Sequence, residues 1–220
     1  MRKWGVVISV FYALAILLLV VPGATWIGIG KVPGAQQILS VYLAWTTWIP
    51  VVIVIAGQAL LLFLSVDTSF RRLKPRAHVF VSFLVTGTLW ALLTLATVLS
   101  LAYGIYGDKT GGELIDRYGL ICWGALWAVW LVVFYAYFRN SSATITRATS
   151  WLLKGSVLEL LIAVPAHVAA RRRNDCSAPP VTSFGIATGI AIMLLCFGPS
   201  VLLLYKKRMN EYPKTKAAAK

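Results

Sequence analysis

Six long apolar stretches, divided by short polar connections, limit what this chain can fold into. They run from Val6 to Val21, Leu43 to Val66, Val79 to Ile105, Tyr118 to Phe138, Trp151 to Ala170 and Phe184 to Tyr205. At about 1.5 Å per residue, each would cross most or all of a hydrocarbon core about 30 Å thick. None alternates with the period of two that a lipid-facing barrel strand needs. In lipid only helices and closed barrels satisfy every backbone group, so the stretches are expected to be helices. The expected fold is all-α: a polytopic integral membrane protein of about six transmembrane helices with short loops. It forms one domain over residues 1–205, followed by a basic cytoplasmic tail over 206–220.

Composition agrees with that reading. Apolar residues make up 59% and charged residues 13% of the 220, which excludes an ordinary soluble enzyme, a disordered chain and a small disulfide scaffold. Met1-Arg2-Lys3 followed by an apolar run resembles a secretory leader. The run is long for one and is read as a retained first span.

The net charge of +14 would suggest nucleic acid in a soluble protein. Here the basic residues fall in short clusters between apolar stretches and form no basic face, so no nucleic-acid partner is expected. They read as a topology code, with both termini cytoplasmic in a plasma or inner membrane. The inner group is Arg2, Lys3, Arg71, Arg72, Lys74, Arg76, Arg139, Arg147, Lys154 and the tail. The triplet Arg171-Arg172-Arg173 falls on the outer side, against the rule. A re-entrant fifth segment would move it inside but would put the basic tail outside, so six spans are kept. The triplet then needs local partners, for which Asp175, Asp108, Glu113 and Asp116 are the candidates.

The fifth stretch carries the least ordinary residues. Glu159 sits near mid-span, where a carboxylate costs about 2.5 kcal/mol or more unless protonated or paired. Pro165 frees the carbonyl of Leu161. His167 lies about 12 Å further along the axis and about 80° round it, so the two share a broad face without touching. Arg171 follows His167 by four residues and stacks on the same side. Glu159, His167, Arg171, Arg172, Arg173 and Asp175 are therefore read as a candidate polar track, able to carry protons or hold an anionic head group. The alternative is a buried glutamic acid bonded to a neighbouring hydroxyl, with an arginine collar at the interface.

Other features read as structure. Gly185 and Gly189 form a GxxxG in the sixth stretch, and Gly87 with Ala91 offers a similar small-residue contact in the third. Gly198-Pro199 is expected to kink the sixth stretch. Trp123, Trp127 and Trp130 form a stripe read as packing or lipid contact. No catalytic motif is present, and neither His78, His167 nor Cys122, Cys176 and Cys196 has metal-ligand spacing. The sequence identifies no cofactor.

Three functions follow as expectations. The first is a non-catalytic accessory or structural subunit of a membrane complex, because the spans hold few polar residues. The second is a small proton-coupled or ion/solute transporter centred on Glu159. The third is a lipid- or quinone-active membrane enzyme using His167, the arginines and Asp175. The expected partners are the lipid bilayer and other membrane subunits, or a second copy of the chain.

Overall fold

The computed structural model describes residues 2–67, 76–139, 144–173, 176 and 178–197. The tail over 206–220, the Gly198-Pro199 pair and Asp175 lie outside the described residues. Among the described residues six helices are long and apolar enough to cross a membrane: Val6–Ile29, Trp45–Leu62, Val79–Gly107, Arg117–Phe138, Ile145–Arg172 and Ala178–Phe197. No strand occurs among them. The protein is an all-α, multi-pass integral membrane protein.

The first span is longer than the expected Val6 to Val21. α1 (Arg2–Ala15) passes through a π-helical stretch (Ile16–Val20) into α2 (Val21–Ile29). A proline inside an α-helix clashes with the carbonyl four residues back, here that of Leu18. The π stretch widens the helix there, and the Val21 N–H reaches back to the Ile16 carbonyl. That shift leaves the Leu17 carbonyl without a helical donor, because Pro22 has no N–H to give. The Tyr42 hydroxyl, on α3 (Ala35–Leu43), donates to the Leu17 carbonyl instead. Burial pushes the Tyr42 phenol above its ordinary pKa. The Gly- and Pro-rich segment expected as one loop over 23–40 thus shrinks to residues 30–34.

α4 (Trp45–Asp67) returns across the bundle and packs on α1. α5 (Arg76–Phe138) is a helical hairpin. Its two arms, residues 76–106 and 108–138, meet at Gly107, whose φ of 75° and ψ of −168° are open only to glycine. The polar connection expected over Tyr106 to Arg117 therefore has helical backbone on both sides of one glycine. The arms run antiparallel. Phe83 meets Tyr135 with ring centroids 5.4 Å apart, and the Trp127 and Trp130 indoles donate to the Thr88 and Thr94 hydroxyls at 3.0 and 3.2 Å. Trp127 and Trp130 of the stripe thus serve between the arms, with Gly87 backed against Leu131.

α6 (Thr144–Arg172) starts earlier than Trp151, because Ile145, Ala148 and Thr149 are buried on its inner face. α7 (Ala178–Phe197) starts earlier than Phe184. Pro179 and Pro180 sit in its first turn, where a missing N–H costs nothing. The first arm of α5 and α7 are central, each with 56% of its apolar window buried, against 6% for the second arm. The main core gathers Leu89, Leu93, Phe134, Phe138, Leu152, Ile192 and Leu195, each no more than 1% exposed.

The Tyr42–Leu17 bond makes a testable claim. Tyr42→Phe leaves a part-buried carbonyl unpaired and should cost about 1–2 kcal/mol, read by thermal unfolding in detergent. In a Pro22→Ala background the restored N–H can serve that segment. The same Tyr42→Phe change should then cost measurably less.

Candidate functional site

The last three carbonyls of an α-helix without a capping partner are costly in a low-dielectric medium. At one end of the bundle two helix ends meet two arginines. α2 ends at Gly30 (φ 73°), whose N–H reaches Trp26. The carbonyls of Ile27, Gly28 and Ile29 remain, and the Arg171 guanidinium donates to all three, at 2.6 Å to Gly28 and 3.1 Å to Ile29. The first arm of α5 ends at Gly107. There the Arg173 guanidinium donates to the carbonyls of Tyr103, Gly104 and Ile105, at 2.8 Å to Tyr103 and 3.0 Å to Ile105. Each arginine also sets its charge on the negative end of a helix dipole. Arg172, between them, is exposed.

His167 lies one turn before Arg171 and joins this end to α7. The Arg171 Nε donates to His167 Nε2 at 3.5 Å. A guanidinium can only donate, so Nε2 is the acceptor and the ring proton sits on Nδ1. Nδ1 then donates to the Thr182 hydroxyl at 2.8 Å, and that hydroxyl donates to the Ala178 carbonyl at 2.8 Å. The chain of bonds is complete, from a cation to a backbone oxygen.

Glu159 lies elsewhere. It is 1% exposed, and neither carboxyl oxygen has a hydrogen-bond partner among the described residues. A Cβ at Gly189 would stand 2.7 Å from its Oε2, so the carboxyl group fills the space that this glycine leaves. One turn away, Gly185 packs on Ala163 and the Ser100 hydroxyl. Glu159, Ala163 and His167 thus form one stripe of α6 facing Gly189, Gly185 and Thr182 of α7. Ala163 and Gly185 come between the two polar residues and divide the expected track in two. Gln58 of α4, wholly buried, has its amide atoms without partners as well.

The structure therefore brings His167 and Arg171 together and sets Glu159 apart. Arg171 and Arg173 take backbone carbonyls as partners, while the acidic side chains expected beside them lie outside the described residues. Asp108, Glu113 and Asp116 lie on helical backbone after Gly107. Gly87 and Ala91 face the second arm and the buried core, and Gly185 and Gly189 face α6. Among the described residues no group of three His, Cys, Asp or Glu could hold a metal ion.

Sequence reasoning missed Gly30 and Gly107 as helix ends and Thr182 as the histidine's partner. A glycine closing an apolar run is a recognised stop signal, so the first two were available. The third joins separate helices and leaves no mark on local sequence. A comparison with known families, with curated proteins and with solved structures finds no match to this chain.

The two clamps predict an order among the arginines. Arg171→Lys and Arg173→Lys keep the charge but lose the planar fork, and each should cost about 2 kcal/mol of stability in detergent. Arg172→Lys should change it by no more than about 0.5 kcal/mol.

Proposed function

We propose that this protein is a non-catalytic component of a membrane, an accessory or structural subunit that acts by binding other membrane constituents. One observation carries this reading. The groups best placed for chemistry, His167 and Arg171, spend their hydrogen bonds on holding α2, α6 and α7 together. A base whose lone pair faces a fixed guanidinium, and a cation seated on three carbonyls, serve architecture. The same commitment weighs against a lipid- or quinone-active enzyme built on these residues.

The orientation we propose keeps both termini on the cytoplasmic side of a plasma or inner membrane. The distribution of basic residues supports it. The arginine triplet no longer counts against it, since two of its members are bonded to helix ends. A cysteine placed at Lys31, which is exposed, should then react with a membrane-impermeant maleimide on intact cells.

A second reading, a small proton-coupled or ion/solute transporter, is favoured by the buried Glu159 carboxyl and its missing partners. Glu159→Gln separates the two. It keeps the shape and removes the ionisable group. Under the subunit reading, the variant should accumulate and co-purify with the same partners or copies as the parent in mild detergent. Solute-dependent proton uptake in liposomes that disappears in the variant, with thermal stability retained, would establish transport in its place.

A further inference from the structure

A cavity of about 660 Å³ opens between the first span from Ile16 onward, α3, α4, the first arm of α5 and α7. That size is within the range of small-molecule sites. Its depth is apolar, walled by Val20, Ala24, Val54, Leu99, Ala187 and Ala191. Hydroxyls line it too, and those on α2 and α7 are spent. Those of Thr25, Ser183 and Thr188 each donate to a carbonyl of their own helix, at 2.7 to 2.9 Å. A sugar or a hydrated ion would find few donors there, whereas a hydrocarbon chain would lose nothing by entering.

The cavity is also long and polarised. Ile16 and Ile29 both line it, which places its ends about 20 Å apart along the helix axis. One leaflet of the hydrocarbon core is about 15 Å deep, so the cavity accommodates a long extended chain. Gln37, Thr46 and Thr47 add polar side chains to its lining, and Ile29 marks its shallow end. At that end Arg171 is bonded to the backbone of two lining residues, Gly28 and Ile29. Lys31, exposed, follows Gly30 in the chain, and a Cβ at Gly30 would touch the Arg171 guanidinium. An apolar shaft with a cationic rim complements one kind of membrane molecule.

We propose that this cavity is a binding site for one acyl chain of an anionic phospholipid, with the phosphate group held at the Lys31–Arg171 rim. The lipid enters from the bilayer, the medium that surrounds the helices forming the cavity. This site is independent of whether the protein is a subunit or a transporter. Arg171 serves both as a helix cap and as fixed positive charge. Lys31 supplies an exposed ammonium beside it.

Native mass spectrometry of the full chain, titrated with phosphatidylglycerol or phosphatidylcholine, tests the proposal. One phosphatidylglycerol should bind saturably, about tenfold tighter than phosphatidylcholine. Lys31→Glu should bring the two lipids to within about twofold of each other, with thermal stability unchanged. Ala187→Trp fills the shaft and should remove the tight site for both. Should that variant fail to fold, the parent protein answers alone. Phosphatidylglycerol with a photoreactive group in its chain should cross-link to peptides of α2, α4 and α7 that line the cavity. Equal binding of both lipids by the parent, or cross-links confined to the outer face of the second α5 arm, would overturn the proposal.

Discussion

A helix that ends close to hydrocarbon must find donors for its last carbonyls, because no water is there to supply them. This constraint organises one end of the molecule. α2 and the first arm of α5 both stop at a glycine with positive φ. Arg171 and Arg173, two residues apart at the end of α6, donate to carbonyls at the two ends. Three helices with their C-termini at the same level are thereby tied to one another. The position of α3 also rests on a spare carbonyl, since its Tyr42 serves the Leu17 oxygen left over by the turn around Pro22. Backbone satisfaction thus decides the arrangement at several points where side-chain packing alone would leave choices.

The interior of the α6–α7 seam follows a different logic. Gly185 and Gly189 let the helices approach closely, as small residues do in membranes. The space beside Gly189 holds a carboxyl group where a methyl group would suffice for packing. Such a residue at that depth costs free energy that architecture alone has no reason to spend. Glu159 is therefore the point at which the structural account of the chain ends, and with it the strongest argument for a function beyond support. His167 is the contrasting case. It shares the same stripe, but Arg171 and Thr182 account for both of its ring nitrogens.

Much of the fold was legible in the residues themselves. Apolar length locates the spans, and lack of period-two alternation makes them helices. Their boundaries were less legible, for identifiable reasons. The first apolar stretch was ended at Val21, yet a π turn carries the helix past Pro22. Pro179 and Pro180 read as loop, yet they open α7. Asp108 to Arg117 reads as a polar connection, yet Gly107 alone makes the reversal. In each case the local signal was present, and the error lay in assigning it to a loop when it belonged to a helix end. The arginine triplet was legible as a cluster in need of partners, though the helix-end carbonyls that receive Arg171 and Arg173 were not.

The sequence by itself determined the class of this protein, the number and approximate placement of its spans and the residues that needed an explanation. Those properties depend on hydrophobicity and charge along a single stretch of chain, which lipid reads locally. Only the tertiary structure decided that Arg171 answers carbonyls more than 140 residues earlier, that Glu159 lies against a glycine, and that five helical segments leave an apolar shaft between them. Each of these joins groups remote in the chain. Their partners are set by how the helices pack, and no local pattern records that.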